Sequence, residues 1–229
     1  MLHCLTINAK LDPGLETAWG PFLFERRRIM GCDIHMYVER RIKGKWYSAD
    51  YFVPRTDGTG YQLVELYGNR NYALFATLAN VRNYGGTPYI SEPKGFPADA
   101  ADFTREEYES WGYGDDHSHS WLTLRELIDF HEAGHPLKYR GMLSPEQLKE
   151  FDEGILPDHW CQGCSQPGYE FREWEEENDV LVPLINKLKD RCNDLYMIYD
   201  FEWYSKREEV QREIRKKSSD IRIVFWFDN

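Results

Sequence analysis

Apolar and polar residues alternate from Cys32 to Val38, and the alternation divides the stretch into two sides. Ile34, Met36 and Val38 fall on one side of an extended chain, and Asp33, His35 and Tyr37 fall on the other. A half-buried strand ordinarily turns Lys, Thr or Glu to water. Here a carboxylate, an imidazole and a phenol stand two residues apart on a rigid element, the composition of a site wall. The strand runs into Ile42-Lys43-Gly44-Lys45-Trp46-Tyr47, where a Lys-Gly pair between β-rich segments predicts a hairpin over 32–48. Near the other end, Ile221 to Phe227 is a β-branched and aromatic run, the pattern of a strand buried on both faces.

Between these strands the period changes. Leu74, Leu78 and Val81 share a helical face, which predicts a helix over 71–81 that Gly85-Gly86 ends. Residues 50–61, with Pro54, Gly58 and Gly60, read as loop. Residues 84–102, with Pro88, Pro93, Gly95 and Pro97, read as a long irregular connection of the kind that often carries function. Three helix starts carry one signature: Thr104 with Glu107, Thr123 with Glu126, and Ser144 with Gln147 each spell a capping box. Hydrophobic pairs bracket them (Phe103 with Tyr108, Leu122 with Leu127, Leu143 with Leu148), and Pro145 suits a first helical position. These signals set helices beginning near 105, 124 and 145.

Residues 155–172 then read as loop, and the acidic run Glu173 to Asp179 reads as the entrance of a helix through Leu184, Ile185, Leu188 and Cys192. Ser205 with Glu208 starts a last amphipathic helix. The sum is one α+β domain over 30–229: a small antiparallel or mixed sheet, built from the 32–48 hairpin and the 221–227 strand, covered by several short helices. Residues 1–29 have a different character and no sustained periodicity. Arg26-Arg27 ahead of Met30 suggests a ribosome-binding sequence, so we expect translation to begin at Met30, with 1–29 a non-native extension or a basic arm.

Composition narrows the function classes. The chain has 229 residues, 41% hydrophobic and 15% aromatic, enough for one core-forming domain. A net charge of -11 argues against general nucleic-acid binding, since phosphate contacts need a basic surface. Five scattered cysteines (Cys4, Cys32, Cys161, Cys164, Cys192) lead us to expect reduced thiols and a cytoplasmic setting. No stretch of about 18 apolar residues predicts a membrane span. Phosphate-binding loops, dinucleotide fingerprints and nucleophile elbows are absent from the sequence, which disfavours an ATPase, a Rossmann dehydrogenase and an α/β-hydrolase.

Four constellations could carry chemistry. Asp33 and His35 form the first, and Asp115-Asp116-His117-Ser118-His119 the second. In extended backbone His-x-His turns both imidazoles the same way, as metal or phosphate binding requires, and neighbouring carboxylates serve as ligands or fix the tautomer. Asp33, His35, Asp116, His117 and His119 together would suit one divalent transition ion (Zn, Mn or Fe), with His117, His119 and Asp116 as its first ligands. Asp200, Glu202 and Asp228 are acidic positions beside apolar strands that would extend this set. The third, His131-Glu132-Ala133-Gly134-His135, matches the H-E-x-x-H pattern of zinc peptidases. Gly134 and Pro136 suit a helix end, however, and that would take His135 off the face of His131. The fourth, His159-Trp160-Cys161-Gln162-Gly163-Cys164, is half a zinc site and reads more simply as two packed thiols in a loop.

Taken with Arg70-Asn71-Tyr72-Ala73-Leu74-Phe75, the stretches Met30-Gly31-Cys32-Asp33-Ile34-His35, His117-Ser118-His119-Ser120-Trp121-Leu122-Thr123-Leu124 and Val224-Phe225-Trp226-Phe227-Asp228-Asn229 resemble a family of uncharacterised bacteriophage and prophage proteins. The resemblance spans about residues 30–229. It implies a phage-encoded protein in the cytoplasm of a bacterial host, and it carries no activity. From the residues we expect a metal-dependent or acid–base hydrolase of a small phosphorylated or nucleotide-like molecule. Arg70 and Arg82 would pair its anion, with Tyr37 and Trp121 against its ring. The alternative is a non-catalytic binder that sequesters a host small molecule or blocks a host protein. A DNA mimic is a poorer third, because Lys and Arg interrupt the acidic residues.

Overall fold

The apolar run near the end of the chain is the middle of the main sheet. In the computed structural model, which describes residues 31–111, 115–164, 166–192, 212 and 215–228, Ile221–Asp228 pairs with a strand on each side. Strand β1 (Asp33–Ile42) turns at Lys43-Gly44 into β2 (Lys45–Ser48), as the hairpin pattern predicts. Strand β5 (Asp116–Thr123) takes the opposite edge, and Ile221–Asp228 is β8, giving an antiparallel sheet in the order β2-β1-β8-β5. Residues 1–29, Asp200, Glu202 and the helix expected from Ser205 and Glu208 lie outside the described residues.

Alternation along β8 sorts the two faces. Ile221, Ile223, Phe225 and Phe227 join Ile34, Met36, Val38 and Leu122 in the core. That core is closed by α1 (Tyr72–Ala79), α3 (Leu124–Glu132) and α5 (Val182–Arg191) through Leu74, Leu78, Leu124, Leu127, Leu184, Ile185 and Leu188. Each such fully buried side chain contributes about 1.5–3 kcal/mol. Arg222, Val224 and Trp226 point to the second face and are buried too. There α2 (Asp102–Ser110) and the irregular 84–101 connection form the cover: Tyr108 and Phe96 both meet the Trp226 ring, at 5.3 and 6.4 Å between centroids.

Two of the three capping boxes form. Thr123 and Glu126 exchange bonds at the start of α3, and Ser144 and Gln147 do so at α4 (Pro145–Asp152), with Pro145 in its first turn. The third does not. Helix α2 begins at Asp102, two residues before Thr104, so Thr104 is a buried interior position and its hydroxyl has no partner among the described residues. Glu39 holds the Ala101 N–H instead, which moves the helix start upstream.

Two further antiparallel pairs form outside the strands that the sequence pattern predicts. β3 (Tyr51–Pro54) pairs with β4 (Tyr61–Val64) within the 50–64 stretch. β6 (Leu137–Leu143) pairs with β7 (Glu170–Glu176), so most of the acidic run after Glu173 is an exposed strand rather than a helix entrance. Its alternate residue Trp174 supplies the buried side, in a cluster with Tyr139, Trp160 and Phe151. Among the described residues no helix is long and apolar enough to cross a membrane.

Candidate functional site

The antiparallel register aligns three carboxylates at one end of the sheet. Asp33 stands opposite Asp228, and Asp228 stands opposite Asp116. Residues directly opposite share a face, so all three carboxylates lie on the second face with His35 and Tyr37. Each is engaged by a different base. Arg70 forks onto Asp33, with Nε on Oδ1 at 2.5 Å and Nη2 on Oδ2 at 2.7 Å. His35 Nε2 meets Asp228 Oδ2 at 3.2 Å, and His119 Nε2 meets Asp116 Oδ2 at 2.6 Å.

Glycine at position 31 makes the Arg70 fork feasible. A Cβ there would lie 2.0 Å from the Arg70 guanidinium, so only glycine leaves that passage open. The guanidinium holds the Asp33 carboxyl below its ordinary range, and Asp33 is ionised at neutral pH.

Beside this row lies a cavity of about 580 Å³, whose lining includes Asp33, His35, Tyr37, Glu107, Trp111 and Asp228, with Glu65 and Tyr67 contributed by the 65–67 segment. His35 lies under the Trp111 ring at 3.8 Å and over Trp226 at 5.7 Å, with its side chain 18% exposed. Tyr37 donates to Glu107 Oε2 at 3.1 Å. Burial, reinforced by that carboxylate, drives its phenol far above the usual value, so it stays protonated. The lining is therefore acidic and aromatic. Glu107, Trp111 and the 65–67 wall are site residues that sequence reasoning missed, because nothing in their local pattern separates them from ordinary surface positions. Asp228 was legible as an acidic residue closing an apolar strand.

Not every expected residue arrives. A β-bulge between His117 and Ser120, with Ser118 in the left-handed region at φ 53°, breaks the alternation of β5. His117 therefore stacks on Phe227 on the core side, with Nε2 4.0 Å from Cys32 Sγ, while His119 goes to the second face against Tyr108. The two imidazoles expected to share an ion are turned to opposite faces. Trp121 lies further along the strand, against Lys94 and Arg222, and does not line the cavity. Arg82 lies elsewhere too, bonded to the Tyr84 hydroxyl.

Asp33, Asp228, Asp116, His35 and His119 are the donors that a divalent ion would use. Each carboxylate already accepts from its own Arg or His, and among the described residues no three His, Cys, Asp or Glu side chains converge as ligands. The set as arranged does not fit an ion. The H-E-x-x-H pattern does not form either. Helix α3 ends at Glu132, Gly134 turns the chain at φ 66°, and His135 leaves the helix to pack on Phe130. Among the described residues Cys32, Cys161, Cys164 and Cys192 form no disulfide with one another. Burial raises the Cys32 pKa despite the nearby Arg82, so it is not a ready thiolate. The pair in the loop, Cys161 and Cys164, meets no imidazole from His159, which is exposed and bonded to Asp158.

Compared with protein-family models, curated proteins and solved structures, the chain finds no match in any of the three.

Proposed function

We propose that the protein is a hydrolase of a small nucleoside-like molecule, with His35 as its acid–base group. The observation that carries this reading is the His35–Asp228 pair on the wall of the cavity. A carboxylate that accepts from one ring nitrogen fixes the tautomer and leaves the other nitrogen basic, the arrangement that general-base catalysis requires. His35 would take a proton from water as its oxygen attacks, then return that proton to the leaving group as the scissile bond breaks. Trp111, Tyr67 and Tyr37 offer rings to a base, and Glu65 and Glu107 offer acceptors to hydroxyls or amines. This acid lining favours a neutral or cationic substrate over a bare phosphate. The resemblance to phage proteins supports a setting in the cytoplasm of a bacterial host and leaves the substrate to the residues of the cavity.

A second reading, a binder without turnover, draws on the Trp111 ring that covers His35. One experiment separates the two. Nucleosides and nucleotides are screened for hydrolysis, with and without divalent cations, against His35→Ala and Asp228→Asn. The hydrolase reading expects turnover that falls about 10²–10⁴-fold in both variants while melting temperatures hold. Wild-type rates in both variants would overturn it, and saturable binding without turnover would favour the binder.

A further inference from the structure

A second cleft, which shares no lining residue with the acidic cavity, has different chemistry. It encloses about 210 Å³ between α1, the 82–87 turn and the outer edge of β6, and it is walled by Tyr72, Tyr84, Tyr139 and Trp160, with Arg82 at its margin. Tyr72 and Tyr84 are 40% and 44% exposed, so two of the aromatic rings that wall it also reach solvent. The turn is fastened to β6. A Cβ on Gly85 would lie 1.8 Å from the Lys138 carbonyl, and Thr87 Oγ1 both accepts from Lys138 N–H at 2.9 Å and donates to its carbonyl at 3.1 Å.

The outer edge of β6 shows what the cleft reads. Lys138 is satisfied by Thr87, and Met142 exchanges both backbone bonds with Cys161. Alternation sends the N–H and C=O of Arg140 to that same edge, midway between them. Neither group has a hydrogen-bond partner among the described residues. A donor and an acceptor therefore stand side by side at the edge that Lys138, Tyr139 and Arg140 present to an aromatic cleft. The gap is one residue wide, clamped at both ends, which is too short to take an added peptide strand. Nucleobases carry a neighbouring donor and acceptor on one edge of a flat ring, and stacking on aromatic side chains is how proteins hold them.

We infer that this cleft is a nucleobase-binding site for a nucleoside monophosphate, with the ring between Tyr84 and Trp160, its edge on the Arg140 backbone and the phosphate toward Arg82. Arg82 already donates to the Tyr84 hydroxyl at 3.2 Å, which holds its guanidinium beside the ring that it would share, and its backbone is left-handed, φ 54°. The site is independent of the acidic cavity and of its proposed chemistry.

Calorimetric titration with AMP, GMP, CMP and UMP tests it, with ribose 5-phosphate and adenosine as partial ligands. At least one monophosphate is expected to bind at one per chain and more tightly than either partial ligand. Tyr84→Ala, at an exposed position, and Arg82→Asn, which tolerates the left-handed backbone, should each weaken it about tenfold or more with unchanged melting temperature. His35→Ala should bind normally, which separates this site from the acidic cavity. Failure of all four monophosphates to bind, ribose 5-phosphate binding as tightly as they do, or loss in His35→Ala with Arg82→Asn unaffected would each overturn the assignment.

Discussion

Replacing Arg222 by Met should unfasten the roof of the acidic cavity, and the structure sets the size of the effect. Arg222 is 2% exposed in the middle of the sheet. Its Nε and Nη2 both reach Glu39 Oε2 at 2.7 Å, and its Nη1 reaches Asp99 Oδ1 at 2.9 Å. Its guanidinium also lies 4.0 Å over Trp46, whose indole N–H donates to Asp99. The two carboxylates are not equivalent. Glu39 is fully buried, whereas the Asp99 side chain is 68% exposed and has water to fall back on. Without Arg222, Glu39 keeps, among the described residues, only the Ala101 N–H at 2.7 Å, and a charge stranded in the interior costs about 3–5 kcal/mol.

For a domain of this size that is roughly a 6–20 °C fall in melting temperature. Since Ala101 caps α2, which carries Glu107 and Tyr108 and leads into Trp111, ligand affinity at the cavity should fall with stability. Denaturant unfolding of Arg222→Met, Asp99→Asn and Glu39→Gln/Arg222→Met reads the terms apart. Asp99→Asn should lose less than about 1 kcal/mol. The double variant should recover about 2 kcal/mol or more over Arg222→Met, because Gln still accepts from Ala101 without a charge. Equal losses from Asp99→Asn and Arg222→Met, or no recovery in the double variant, would refute the reasoning.

Gly31→Ala should push the Arg70 fork off Asp33; the Asp33 carboxyl then titrates higher by NMR, while the exposed pair's loss changes stability by about 1 kcal/mol or less. Asp50 is buried against Arg191, and desolvation pushes its carboxyl up to about 6. Between about pH 4 and 6 the folded protein therefore holds a proton that the unfolded chain has released, so this group's stabilising contribution declines as pH rises through that window. Urea unfolding across it should show wild type losing ground to Asp50→Asn as pH increases, and a pH-independent difference would contradict the assignment.

Much of the frame was legible because it rests on periodicity. The alternation of 33–38 and the apolar run of 221–227 both name their faces directly, and the Thr123 and Ser144 boxes depend only on local spacing. What stayed hidden depends on partners distant in sequence. Arg222 sits inside an apolar run and is readable as a buried ion only once Glu39 lies beside it. Glu107 and Trp111 join the cavity because α2 crosses the second face, and helix α2 begins where Glu39 captures Ala101. The β6–β7 pair is hidden in the sequence because Arg172, Glu173, Glu175 and Glu176 mask a strand whose only buried residue is Trp174. The alignment of Asp33, Asp228 and Asp116 is a property of register, which no single stretch contains.

The kink at Ser118 has a consequence for how β5 tolerates change. Its downstream half is locked in phase by Leu122, which is fully buried in the core. Straightening the strand with all its residues kept would bring the two imidazoles to one side, yet it would also turn Leu122 outward and bring Trp121 into the packed interior. The hydrophobic frame thus vetoes a chelating His-x-His pair even though both histidines are present. Deleting Ser118 altogether would leave His117 and His119 facing as they do now, so this position is where the strand can absorb a one-residue change in length without altering which chemistry faces which side.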